Sequence, residues 1–280
     1  MRILFLHQNF PGQFLHVART LKAQGYDVRA ITDARNDRPD LVPTLRYELP
    51  PLKGAVSPFA RSFSDRSHRG AVVGHAMLKL RQEGFEPDLV VGHFGWGETL
   101  FVKDVWPRTR LVAHAEFYYT AEGADCSFDP EFEKATSEQD RLNRRMALRA
   151  RYAAILLAME SADFGVAPTR WQGSRFPAFL QKRIAILHEG IDTRLVAPNP
   201  NASIRIGRNG ASQVFKPGDE VITFVNRNLE PYRGYHISCG PCRRSSRPAR
   251  TPMPSSLGET RSPTVPRRRA EAGSRSSSTR

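Results

Sequence analysis

Hydrophobic positions along the chain alternate between short unbroken apolar runs and stripes spaced as on a helix. Arg2-Ile-Leu-Phe-Leu-His7 is apolar at four successive positions, as a strand covered on both faces requires. A polar turn follows, Gln8-Asn-Phe-Pro-Gly-Gln13. Phe14, Val17, Ala18 and Leu21 then recur at helical spacing, and Gly25 supplies a stop. Tyr26-Asp-Val-Arg-Ala-Ile-Thr32 reads as a second strand ending at Asp33. A β-α-β start of this kind implies a parallel sheet with a right-handed crossover. The alternation continues. A helix over 69–83 places Val72, Val73, Ala76, Met77 and Leu80 on one face, with Gly84 closing it. Leu89-Val-Val-Gly-His93 and Arg110-Leu-Val-Ala-His114 read as strands with a short helical stretch between them. Residues 131–160 read as one or two charged amphipathic helices. Phe164-Gly-Val-Ala-Pro168, a helix near 170–182 and Ile184-Ala-Ile-Leu-His188 add further α/β units.

The pattern weakens after residue 197. Residues 198–219, rich in Pro, Asn and Gly, read as a connector, and Glu220-Val-Ile-Thr-Phe-Val-Asn226 as the first strand of a second α/β domain within 220–237. The expected fold is therefore α/β, a Rossmann-like parallel sheet flanked by helices over residues 1–197. From 238 to 280 the composition changes abruptly. This segment holds ten arginines against two acids, with ten serines, six prolines and no aromatic residue. It cannot bury enough apolar area to offset its ordering entropy and reads as a disordered basic tail. Of the formal net charge of +14, +8 belongs to this tail and +6 to residues 1–237.

That division limits what the charge implies. A basic chain suggests anionic partners, but the tail has neither an aromatic platform nor a reading motif, so no specific nucleic acid is expected. Cys239-x-x-Cys242 has half the spacing of a zinc site without a second ligand pair, and no metal is expected. Three cysteines make no disulfide framework, and no apolar run has membrane-spanning length. These features lead to the expectation of a cytoplasmic chain, with peripheral contact at the inner membrane face open through the arginines of residues 141–151.

The first turn lacks both G-x-G-x-x-G and the P-loop pattern, which disfavours dinucleotide and ATP sites of those kinds. A single glycine at a helix start can still present backbone N–H groups to a phosphate or sugar. Five blocks then occur in order. They are Met1-Arg-Ile-Leu-Phe-Leu-His-Gln-Asn-Phe-Pro-Gly-Gln-Phe14, Gly92-His-Phe-Gly-Trp-Gly-Glu-Thr99, Glu116-Phe-Tyr-Tyr119, His188-Glu-Gly-Ile-Asp192 and Asn226-Arg-Asn-Leu-Glu-Pro-Tyr-Arg-Gly-Tyr235. Together they resemble the N-terminal domain of a bacterial family 4 glycosyltransferase of the GT-B type, with the start of its donor domain, over about residues 1–237.

The resemblance implies an enzyme that moves a sugar from a nucleotide-diphosphate donor to a glycan or lipid-linked acceptor, with retention and without a metal or other cofactor. On that basis Gly12, Arg227 and Arg233 would bind the donor. The two arginines would clamp its diphosphate, where leaving-group charge develops. His114 and Glu116 would be catalytic. Gln13, His93, Trp96 and Tyr118 would bind the acceptor, the two rings by stacking. His93, His114 and Glu116 end successive strands, where open α/β sheets place ligands. Glu189 and Asp192 are expected to serve the interdomain turn.

The resemblance fails after Tyr235. Restoring one T ahead of Ser238 in GC-rich codons yields Phe-Met-Arg-Ala-Leu-Pro-Ala-Val-Leu-Ala, and continuing gives the helix, strand and glycine turn that a donor domain requires next. A one-base frameshift is therefore expected, leaving a chain that is weakly active or inactive. Two other classes stay open at this point. One is a non-catalytic saccharide-binding or protein-interaction module, and the other is nucleic-acid binding through the basic tail.

Overall fold

The computed structural model describes residues 1–121, 123–124, 128–129, 137–208, 211–226, 228, 231–238 and 255–256. The chain divides into two compact units, Met1–Ala197 and Pro198–Arg280.

The first unit is a seven-stranded, wholly parallel sheet. Its strands are β1 (Arg2–Leu6), β2 (Asp27–Asp33), β3 (Thr44–Tyr47), β4 (Leu89–His93), β5 (Arg110–His114), β6 (Phe164–Ala167) and β7 (Ile184–Ile186), in the order β3-β2-β1-β4-β5-β6-β7. Helices α1 (Leu15–Ala23), α2 (Arg61–Gln82), α3 (Val102–Val105), α4 (Glu138–Ser161), α5 (Arg170–Ser174) and α6 (Ala178–Gln181) connect the strands. Because strand side chains alternate, β1 feeds two cores. Ile3 and Phe5 pack with Phe10, Phe14 and Ala18 beneath α1. Leu4 and Leu6 pack on the opposite face with Val73, Met77 and Leu80 of α2 and with Ile155, Ala158 and Met159 of α4. Each large apolar side chain fully buried in this way contributes about 1.5–3 kcal/mol. Helix α4 starts on a capping box. Ser137 Oγ accepts from the Asp140 backbone N–H at 3.1 Å, and Asp140 Oδ2 accepts from the Ser137 N–H at 3.3 Å.

Several boundaries differ from the sequence expectation. Helix α2 begins at Arg61, two turns before the expected start, whereas residues 138–161 form a single helix, one of the two expected alternatives. The helix expected over 170–182 is split in two, with Pro177 at the N-terminal boundary of α6. Strand β3 has no counterpart among the expected elements.

The second unit contains a hairpin of β8 (Ile204–Arg208) and β9 (Ala211–Phe215), inside the stretch expected to be a plain connector. The strand expected over 220–226 shortens to β10 (Thr223–Phe224), which pairs in parallel with β11 (Ser255–Ser256). Those two serines belong to the tail expected to be disordered. Most of the remaining tail, with Cys239 and Cys242, lies outside the described residues.

Candidate functional site

Strand order reverses direction between β1 and β4, with β2 on one side and β5 on the other. Open α/β sheets form a crevice at such a point, outside the carboxyl ends of the strands. Three histidines converge there: His7 after β1, His93 ending β4 and His114 ending β5. Their ring centroids lie 5.7 Å apart for His7–His93 and 5.5 Å for His93–His114, and all three are buried.

The turn after β1 is held from β2. Thr32 Oγ1 accepts from the Phe10 N–H at 3.2 Å and donates to Gln8 O at 3.0 Å, while Asn36 Nδ2 donates to Phe10 O at 2.7 Å. This framework brings Gly12, at φ +47°, against His7. A Cβ on Gly12 would stand 2.9 Å from the imidazole Cε1, so only glycine fits without displacing the ring. Gln13 belongs to the same short 3₁₀ turn, Gly12–Phe14, whose Phe14 ring sits 5.7 Å from His114.

Hydrogen bonds assign the tautomers. His93 Nδ1 accepts from the Gly95 N–H at 3.1 Å, so the proton is on Nε2, which donates to Glu116 Oε2 at 2.7 Å. That bond holds the Glu116 carboxyl below the usual range, and burial opposes it. His7 Nδ1 accepts from the Asn9 N–H at 2.9 Å. Burial, followed by the neighbouring imidazoles, pushes His7 down to about 3 and His114 to about 4, so both are neutral at pH 7. His114 Nε2 is buried without a hydrogen-bond partner within the protein; Glu189 Oε1 lies 3.3 Å away but outside hydrogen-bonding geometry. Such a nitrogen is costly unless a ligand satisfies it.

The structure thus gathers Gly12, Gln13, His93, His114 and Glu116 at one edge of the sheet. Trp96, 40% exposed, tilts against His93 at 6.0 Å and lines the recess beside it. Tyr118 is a core residue whose ring stacks 4.4 Å from that of Tyr152, and it also lines a cavity of about 390 Å3. Arg233 lies in the second unit, where its Nη1 donates to Asn226 Oδ1 at 2.9 Å. Arg227 lies outside the described residues.

Sequence reasoning missed four contributors. Asp33, Arg69, Tyr47 and Glu98 form a buried polar chain behind the 93–97 turn. Arg69 Nη1 donates to Tyr47 Oη at 2.8 Å and stands 3.3 Å from Asp33 Oδ2, and Tyr47 Oη donates to Glu98 Oε1 at 3.1 Å. It also missed Arg66 and Arg151, which line a recess beside His93. Helix polarity alone does not separate these arginines from solvated ones. Glycine is the one visible trace of the close approach here. A Cβ on Gly97, at φ +108°, would fall 2.2 Å from Arg66 O.

Among the described residues no group of three or more His, Cys, Asp or Glu is arranged to hold a metal ion, and no helix is long and apolar enough to cross a membrane. A larger cavity of about 780 Å3, lined by Arg2, Arg81, Asp88 and Arg110 among others, opens at the opposite edge, away from the histidines.

Comparison with known proteins agrees with this architecture. Anabaena HepE, solved with UDP and glucose, shares 16% identity over 92% of this chain and 60% of its own, with a TM-score of 0.51. The starch synthase IV catalytic domain of Arabidopsis thaliana, bound to ADP and acarbose, shares 14% identity over 92% of this chain and 68% of its own, with a TM-score of 0.48. MurG of Acinetobacter baumannii shares 12% identity over 67% of this chain and 44% of its own, with a TM-score of 0.39. The chain therefore spans 44–60% of the MurG and HepE chains. No curated protein sequence matches. At these identities the likeness to HepE shows the fold, that of GT-B glycosyltransferases. The sequence profile described as the Glycosyl transferase family 4 group matches residues 24–196, more than half of the chain. The chain belongs to the glycosyl transferase family 4 group.

Proposed function

We propose that the first unit holds the saccharide acceptor of a sugar transferase whose donor is a nucleotide-diphosphate sugar. The observation that carries this reading is the buried, unsatisfied Nε2 of neutral His114, beside the ionised Glu116, at the carboxyl edge of the sheet. A neutral imidazole and a carboxylate together offer a donor and an acceptor to one sugar hydroxyl. HepE, solved with UDP and glucose, provides the analogy for the donor class.

In the transfer, the bond from the anomeric carbon to the β-phosphate oxygen breaks as the acceptor oxygen bonds to that carbon. The acceptor's proton leaves toward Glu116 or the departing phosphate. Gly12 lets the backbone of the first turn approach the donor, Gln13 and His93 orient the acceptor, and Trp96 offers its partly exposed ring to a sugar. Arg227 and Arg233 take the diphosphate charge. Transfer proceeds with retention and without a metal, and a lipid-linked acceptor would bring the protein to a membrane surface.

The 280-residue chain transfers sugar weakly or not at all, because the segment after Tyr235 departs from the family pattern. Purified chain is expected to bind monosaccharides in ligand-observed NMR. Trp96→Ala should weaken that binding about 5- to 30-fold, from the loss of roughly 1–2 kcal/mol of stacking. Affinity unmoved by both Trp96→Ala and His114→Ala would overturn the acceptor site. Rapid donor-dependent transfer by the chain would overturn its inactivity, and an intact genomic frame across codons 236–239 would remove the frameshift.

A further inference from the structure

Beside His93 and Glu116 the first unit carries a recess of about 30 Å3 lined by Arg66, Gly95, Trp96, Phe117, Tyr119 and Arg151, among others. The volume suits one small polar group and is too small for a sugar ring. Two guanidinium groups share this space, and each is held differently.

Arg66 is anchored from behind. Its Nε donates to Gly95 O at 2.7 Å and its Nη1 to Ser62 O at 3.0 Å, which fixes the plane of the fork. Its Nη1 also contacts Ser62 Oγ. Arg151 reaches over from α4 and lies on the Tyr119 ring, 4.2 Å from its centroid. The Nε of Arg151 is buried without a hydrogen-bond partner. Burial and the charge of Arg151 both press on Arg66. The single carboxylate lining the recess, Glu116, already accepts a hydrogen bond from His93 Nε2 at 2.7 Å.

Two half-buried cations against one engaged anion leave an excess positive charge and an unsatisfied donor in a space the size of a carboxylate. Holding like charges together in a partly dry recess is costly unless a ligand neutralises them. Guanidinium groups match an oxyanion through paired N–H donors. Trp96, partly exposed, lines the same recess, so a sugar ring held against it would lie beside that oxyanion.

We propose that Arg66 and Arg151 form an oxyanion subsite, so that the saccharide seated against Trp96 carries an acidic group. This rests on reading the edge of the sheet as an acceptor site, and it narrows the acceptor to an acidic glycan. Two sources share the chemistry: the carboxylate of a uronic acid and the phosphate of a sugar phosphate.

The test is ligand-observed NMR titration of the full chain with glucose, glucuronic acid and glucose 6-phosphate. At least one acid is expected to bind about tenfold or more tightly than glucose, and which acid does so identifies the source. Arg151→Met and Arg66→Met should each bring that ratio close to one. Arg151→Lys, which keeps the charge but loses the fork, should leave an intermediate ratio and guards against a folding defect in the methionine variants. Equal binding of acids and glucose, or a preference that survives Arg151→Met, overturns the subsite while leaving the acceptor reading standing. Failure of all three saccharides to bind overturns both.

Discussion

Replacing Arg69 with methionine is expected to destabilise the first unit by about 3–5 kcal/mol, the cost of removing one partner from a buried ion pair. Glu98 is fully buried, and its Oε2 has no hydrogen-bond partner. Burial pushes its carboxyl up, and the guanidinium of Arg69, 3.8 Å from Oε1, is the foremost influence pulling it back down. Without Arg69, Glu98 must either take up a proton or remain as an uncompensated charge. Asp33 fares better, because Arg35 pairs with it at 2.6 Å from a solvent-exposed position. The specific expectation is therefore a rescue. Glu98→Gln should recover part of the loss in an Arg69→Met background, because the variant amide carries no charge. All three tryptophans, Trp96, Trp106 and Trp171, lie in the first unit, so tryptophan fluorescence in urea reports its unfolding selectively. A loss below about 1 kcal/mol, well short of a buried pair's usual cost, or no rescue by Glu98→Gln, would show that the chain Asp33-Arg69-Tyr47-Glu98 does not support the turn. The site should respond as well. Glu98 directly succeeds the 93–97 turn, and loosening it frees His93 and Trp96.

That polar chain shows where the residues alone stop being informative. Strands β1, β4 and β5 are legible because burial on both faces demands unbroken apolar runs. Strand β3 is not, because Thr44-Leu-Arg-Tyr47 sits at the sheet edge and buries only Tyr47 completely. The opening of α2, Arg61-Ser-Phe-Ser-Asp-Arg-Ser-His68, has no apolar stripe; its backbone is held near the 93–97 turn by Gly70 and Gly97. For the site, a parallel sheet puts its ligands at the carboxyl ends of strands, so His93, His114 and Glu116 can be named from their positions alone. Arg66 and Arg151 lie on helices and meet that edge only through tertiary packing. Tyr118 comes just after strand-end residues, and its ring stacks on Tyr152, a contact no local pattern reveals.

Lowering the pH should unfold the first unit through the same histidines that mark its site. An unfolded histidine titrates near 6.5, whereas His7 is pushed down to about 3 and His114 to about 4 in the fold, each first by burial. A folded value below the unfolded one means that the unfolded chain binds the proton first. Stability is therefore complete above pH 6.5 and is lost as pH falls from 6.5 toward 4. Two such groups give a limiting slope of about 2.7 kcal/mol per pH unit, so the fall to pH 4 removes about 6 kcal/mol, comparable to the whole stability of a modest domain. Glu116, held down chiefly by its bond from His93, adds a loss of the same sign only at lower pH. Urea midpoints read by tryptophan fluorescence at pH 7.5, 6.5, 5.5 and 4.5 should show a plateau and then this fall. His114→Asn should roughly halve the slope, because one of the two proton-binding differences is gone. Constant stability down to pH 5 would mean that the imidazoles are not buried as described, and the unsatisfied Nε2 of His114 could not then stand ready for a sugar hydroxyl. The stability curve and the proposed acceptor site thus depend on the same physical fact, the neutrality of a buried imidazole at the end of β5.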